Sequence, residues 1–194
     1  MEQWTEYVET LAAGLHKVVV TDRAGATLTP IDAVRRWVDL AHATHQRGRF
    51  VYFIGNGASA SMASHMAADA CKNGFLRALA FNDAAMLTAT GNDLSYDEVF
   101  SLPLERLAEP GDLLVTISSS GNSPNVLRAL DACAALGVNA VTLSGKSAEN
   151  KSRTRGDLNF YVALGRNGWT EPAHHVILHY WFDQYLRAHG QGPI

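Results

Sequence analysis

The chain is poor in the features that commit a sequence to several common classes. It has two cysteines in 194 residues, Cys71 and Cys133, with no CxxC or Cys/His spacing around them. Neither a disulfide framework nor a thiolate metal knuckle is therefore expected. Both cysteines are read as buried helix residues of a cytoplasmic protein kept in a reducing compartment. No run of eighteen apolar residues occurs, and the opening Met1-Glu2-Gln3-Trp4-Thr5-Glu6 is polar and acidic, so no membrane span or secretory leader is expected. Basic residues are scattered: Lys plus Arg number 16 against 19 Asp plus Glu, a formal net charge of −3. A nucleic-acid surface, which needs a basic stripe, is not expected. Internal repeats and low-complexity segments are absent too.

What is present is one core's worth of apolar residues, 47% of the chain, which points to a single domain over 1–194. Apolar residues recur at helical spacing from Glu2 to about Val20 (Trp4, Val8, Leu11, Leu15, Val18) and again after Pro30 (Ile31, Val34, Val38, Leu40). Two N-terminal helices within 1–48, joined by a loop from Thr21 to Thr29, are expected to pack on the core or on a partner subunit. Beyond residue 49 short apolar runs alternate with helical segments. Strands are expected at Phe50–Ile54, Leu79–Phe81, Asp112–Ile117, Val138–Leu143 and Leu158–Val162. Helices are expected at Ser59–Lys72, around Ala84–Thr90 and Tyr96–Ala108, at Ser123–Leu136 and from about Thr170 to Ala188. This alternation predicts an α/β fold: a three-layer αβα sandwich around a five-stranded, mainly parallel sheet.

In such a sheet ligands sit beyond the carboxyl ends of the strands. Two strand-to-helix turns stand out. Ser118-Ser119-Ser120-Gly121-Asn122-Ser123-Pro124 puts four hydroxyls at the mouth of a helix, with Ser123 as N-cap and Pro124 as the first helical residue. Hydroxyls and free backbone N–H groups can bind phosphate there without a lysine or arginine. Such a turn can also be no more than a capped helix start. The second turn, Gly55-Asn56-Gly57-Ala58-Ser59, strengthens the phosphate reading because it opens on the same sheet edge. Its GxGxS spacing is not the GxGxxG of a dinucleotide site, and the acidic residue such a site needs is missing.

His65 and Asp69 share one helix face at a spacing of four, as do Glu171, His175 and His179. Imidazoles and carboxylates in these rows suit zinc or a similar divalent ion, although either row alone could line a solvated face. His174 points about 100° away from His175 and is read as structural or at a subunit contact. Interconverting a ketose and an aldose needs a base, an acid for the oxygen and stabilisation of an enediolate, and a carboxylate, an imidazole and a metal ion meet those needs. Asn92 and Asp93, after Gly91, either bind sugar hydroxyls or simply make a turn.

Taken together, Ile54 to Ser59, His65 with an acid four later, Leu87-Thr88-Ala89 before Gly91-Asn92-Asp93, Glu98-Val99-Phe100, Pro110-Gly111-Asp112, Ile117 to Leu130, and Glu171 with His179 resemble the phosphoheptose isomerase branch of the sugar isomerase (SIS) family. The resemblance spans almost the whole chain, and Ser-Gly-Asn-Ser-Pro-Asn is its most specific segment. It implies a flavodoxin-like sheet, a homotetramer with active sites at subunit interfaces, one zinc or other divalent ion per subunit, and conversion of sedoheptulose 7-phosphate to a heptose 7-phosphate. By position, Ser118, Ser119, Ser120 and Ser123 would hold phosphate. Asn56, Gly57, Ser59, Asn92, Asp93 and Glu171 would meet the sugar. Asp69 and His179 would move protons, and His65, Asp69, Glu171 and His179 would bind the metal.

Three positions depart from the family pattern. Asp69 stands where a Glu is usual, Glu171 where a Gln is usual, and Asn73 where an Arg is usual. The first shortens the catalytic acid by one methylene, the second adds a negative charge to the ligand set, and the third alters contacts along the substrate. A different long-chain substrate, such as an octulose 8-phosphate of antibiotic biosynthesis, is compatible with these changes. The contrasting expectation is a noncatalytic SIS protein that binds a sugar phosphate, or a replication-initiator-type protein partner, and so has no use for His179.

Overall fold

A computed structural model of the chain describes residues 3–190. It opens with α1 (Trp4–His16), a hairpin of β1 (Val19–Asp22) and β2 (Thr27–Leu28), and α2 (Pro30–Gln46). Then come β3 (Phe50–Gly55), α3 (Ala58–Lys72), β4 (Arg77–Ala80), α4 (Ala84–Asp93), a 3₁₀ turn at Tyr96–Glu98, and α5 (Ser101–Leu107). The chain continues with β5 (Leu113–Ser118), α6 (Pro124–Leu136), β6 (Asn139–Gly145), a 3₁₀ turn at Lys151–Thr154, β7 (Leu158–Val162) and α7 (Asn167–His189). The five expected strands are all present, within a larger sheet of seven in the order β2-β1-β7-β6-β5-β3-β4.

The two extra strands replace the expected loop at Thr21–Thr29, and the first helix ends at His16 rather than near Val20. The cause is local. Val18, Val19, Val20 and Thr21 are consecutive β-branched residues, which lose side-chain freedom in a helix and fit a pleated strand. The Asp22 carboxylate then accepts from the Ala24 and Ala26 amides at 3.0 and 2.9 Å, turning the chain. β1 pairs antiparallel with β7, Val20 facing Phe160, and so covers what would otherwise be an open sheet edge.

Strands β7, β6, β5, β3 and β4 are parallel neighbours, and their alternation feeds two cores. Val51 and Phe53 of β3 join Leu113, Val115 and Ile117 of β5 under α2, α3 and α7. Tyr52, Ile54 and Leu114 join Val126, Ala129 and Leu130 of α6 and Phe100 and Leu104 near α5. A sheet buried on both faces explains why these strands read as unbroken apolar runs. The first core is centred on the stacked rings of Trp37 and Trp181, 4.5 Å apart and both fully buried. Of the two cysteines, Cys133 is buried as expected, but Cys71 is exposed, because it falls on the outer face of α3 near its end.

The proline inside α7 has a use. Pro172 has no N–H to offer the Gly168 carbonyl one turn earlier. That carbonyl accepts instead from the Tyr7 hydroxyl, which fastens α1 to the start of α7.

Candidate active site

The chain leaves β3 through α3 to reach β4 on one side, and leaves β5 through α6 to reach β6 on the other. The gap between the ends of β3 and β5 is thus the topological switch point, where a doubly wound sheet opens a crevice. Both turns singled out in the sequence end there, since Gly55 pairs with Ile117 in register. Their joining is direct: the Asn56 and Asn125 side-chain amides donate to each other's carbonyl oxygens, each bond 2.9 Å long. The Tyr96 hydroxyl also donates to the Asn56 oxygen, at 3.1 Å. Gly91 sits beside the Tyr96 ring, so the exposed Asn92–Asp93 end of α4 lies next to this group, with the Asn92 amide donating to Asp93 at 2.8 Å.

Glycine is required at two points of the crevice. A Cβ on Gly55 would lie 2.7 Å from Ser59 Cβ and 2.8 Å from the Ile117 carbonyl oxygen. Gly121 has φ +62°, and a Cβ there would come within 2.1 Å of the Asn150 side-chain oxygen. Within the serine turn, Ser118 Oγ accepts from the Gly121 amide at 3.2 Å and lies 3.5 Å from Ser123 Oγ, while Ser120 Oγ accepts from the Asn122 amide at 3.2 Å. Ser123 occupies the N-cap position of α6, and Pro124 follows it in the first turn. The Ser123 hydroxyl makes no capping bond, so it is not committed to the helix. Ser119 is partly exposed on the same bend, Gly57 holds the N-cap of α3 at φ +58° in open space, and Ser59 is buried against Gly55.

The second group of polar residues lies where α3 meets α7. Ring nitrogens of His65, His175 and His179 lie within 4.8 Å of one another. His179 Nε2 and His175 Nε2 are 3.1 Å apart, and His65 Nε2 is 3.3 Å from Asp69 Oδ2. Burial, and then the neighbouring His179 and His65 rings, push the His175 pKa below its ordinary value, with the Asp69 carboxylate opposing them. The Glu171 and Asp69 carboxylates stand outside the three-nitrogen group. His174 is wholly buried, and desolvation lowers its pKa to about 4, so it stays neutral. Its structural reading fits this placement.

The two groups lie at different levels of the sandwich. Ser59 is in the first turn of α3, and His65 and Asp69 follow six and ten residues later, about 9 and 15 Å along the helix. Thr170 packs against Gly145, at the end of β6, and His175 and His179 lie about 8 and 14 Å farther along α7. The single chain brings together Asn56, Gly57, Ser59 and the serines in one crevice, and His65, Asp69, His175 and His179 in another cluster. Sequence reading missed Asn125 and Tyr96, because hydrogen bonds across 69 and 40 residues have no local pattern.

Comparison with known proteins agrees with this architecture. Residues 7–145 match the family model of the SIS domain. The phosphoheptose isomerase of Syntrophotalea carbinolica is 33% identical over 170 residues, covering 84% of this chain and 85% of that protein. The phosphoheptose isomerase of Solidesulfovibrio magneticus is 43% identical over 148 residues, covering 73% and 68%. Among solved structures, phosphoheptose isomerase GmhA from Neisseria gonorrhoeae aligns with a TM-score of 0.81 at 27% identity, over 94% of each chain. Shared sequence over most of its length and a shared fold together mean that the chain belongs to the SIS-domain phosphoheptose isomerases, a family of isomerases.

Proposed function

We propose that this protein interconverts a long-chain ketose phosphate and its aldose, with sedoheptulose 7-phosphate and heptose 7-phosphate the first pair to test and an octulose 8-phosphate the second. The observation that carries the reading is the Asn56–Asn125 clamp, which joins a glycine turn and a serine turn into one crevice at the switch point. Such a crevice offers hydroxyls, backbone N–H groups and the start of α6 to a phosphate. Ser118, Ser119, Ser120 and Ser123 hold the phosphate, and Asn56, Gly57, Ser59, Asn92, Asp93 and Glu171 meet the sugar.

In the reaction, the Asp69 carboxylate takes a proton from C1 of the ketose and delivers it to C2. His179 gives a proton to the C2 oxygen and accepts the one leaving the C1 oxygen, so the enediol forms and collapses without net gain or loss of protons. Asp69 is short, and its contact with His65 supports a fixed position for the carboxylate. A divalent ion such as zinc, when bound, would polarise the carbonyl and stabilise negative charge on the sugar oxygens. The residues fit one: the His65 and His179 nitrogens already lie within 4.8 Å of each other, with Asp69 beside His65 and Glu171 the remaining position of the family pattern.

The reading includes a homotetramer with sites shared between subunits. Its support is the axial offset between crevice and histidine cluster within one chain, which a neighbouring subunit can close. An apolar surface beside the cluster adds to it: Val176 and Tyr180, 48% and 44% exposed, border His175 and His179. The two free thiols support a reducing, cytoplasmic location. The test is a panel of six- to eight-carbon ketose phosphates assayed for aldose formation by the purified protein. Turnover of a seven- or eight-carbon member is expected, and no turnover across the panel would end the proposal.

A further inference from the structure

The ligand set that the family likeness assigns, His65, Asp69, Glu171 and His179, is not the set of atoms that meets in this chain. Three imidazoles meet instead. His65 comes from α3, and His175 and His179 come from successive turns of α7, with ring centroids 5.5, 5.2 and 4.6 Å apart. Their ring nitrogens lie within 4.8 Å of one another, a group that neither the Glu171 nor the Asp69 carboxylate joins.

A four-coordinate zinc with bonds of about 2.0–2.1 Å needs neighbouring donor nitrogens about 3.3 Å apart. The His175 and His179 Nε2 atoms are 3.1 Å apart, close to that spacing. Each can donate to or accept from the other, so a simple hydrogen bond also accounts for this one pair. It does not account for the third ring, drawn from another helix to the same point. Glu171 precedes His175 by one turn of α7, at the end nearer the sheet's carboxyl edge, where a sugar is the more natural partner.

We propose that His175 is a metal ligand of this protein, and that the divalent ion is held by three imidazoles, His65, His175 and His179, with Glu171 outside the ligand set. This rests on the metal part of the reading above. Three neutral imidazoles favour zinc, cobalt or nickel over magnesium, which prefers oxygen donors. Asp69 Oδ2 is 3.3 Å from His65 Nε2, at the same spacing, but it does not join all three nitrogens, and the proposal leaves it for proton transfer rather than ligation.

The test uses the full-length protein stripped of metal and titrated with zinc and with cobalt in competition with a chelator. The visible spectrum of the cobalt form reports the ligands directly. His175→Ala and the milder His175→Gln are expected to weaken zinc binding at least about 100-fold, beyond the 10- to 100-fold that outer-shell partners cost, and to change the cobalt spectrum. Glu171→Gln is expected to change zinc affinity less than about threefold and to keep the wild-type cobalt spectrum, and excess magnesium should not compete. Unfolding curves of the metal-free variants check that they fold, and of the two His175 variants the one that does so decides the matter. Wild-type affinity and spectrum in a folded His175 variant would overturn the proposal while leaving the metal in place. Absence of zinc and cobalt binding in the wild type would overturn the metal part of the reading with it, and turnover by that metal-free wild type would show the isomerase reading standing on its own.

Discussion

In the proposed reaction, Asp69 and His179 bear the heaviest chemical demand on single side chains. Asp69→Asn keeps the size of the side chain and its contact with His65 but removes the base, and His179→Ala removes the imidazole. Each is expected to lower kcat for aldose formation by about 10²–10⁴-fold, the range general acid–base groups contribute, with the assembled mass unchanged in light scattering. Turnover within a few-fold of wild type would remove that residue from the mechanism. The cysteines give an independent test of the fold. Burial pushes the Cys133 thiol up to about 12, whereas Cys71 is exposed. Iodoacetamide at neutral pH is expected to modify one thiol, Cys71, in the native protein and both after unfolding, as read by intact mass. These two residues also show what sequence could reveal. A cysteine inside a helical pattern is readable as helical, but the face it occupies depends on a neighbour the pattern does not name.

The serine bend is the element whose shape depends most on one residue. Gly121 has a positive φ and sits against the Asn150 side chain, and its carbonyl accepts from the Ser152 amide at 3.0 Å. Gly121→Ala is expected to cost about 2 kcal/mol or more, from the left-handed backbone and the contact together. A lower urea midpoint with loss of phosphate affinity would bear this out, and an unchanged midpoint would contradict the geometry. The bend itself was readable, since hydroxyls, Gly, Asn and Pro in that order specify a turn feeding a helix. The β1–β2 hairpin was not. The helical spacing that ends with Val18 runs into a β-branched stretch, and which tendency prevails depends on the β7 edge, more than a hundred residues away. Of the five parallel strands, the central β3 and β5 were the most legible, because burial on both faces writes a nearly continuous apolar run into each, whereas the edge strand β4 is half exposed and carries a weaker signal.

In the proposed assembly, the offset between crevice and histidine cluster would make activity a property of more than one chain. A native mass of four subunits is expected in light scattering. Val176→Arg, placed on the apolar surface beside His175, is expected to dissociate the assembly and lower turnover by about tenfold or more. A fully active monomer would contradict site sharing. Sequence alone could name both groups of residues, but not the distance between them, because helical position becomes a length only once the helix is set against the sheet. The Asn56–Asn125 pair has a consequence for binding itself. Because two reciprocal amide bonds already brace the mouth of the crevice, its walls are ordered during folding, before any sugar arrives. On the proposed function, capture would then resemble entry into a rigid receptor, with little conformational entropy lost by the protein and association governed by diffusion rather than by the closing of a flap.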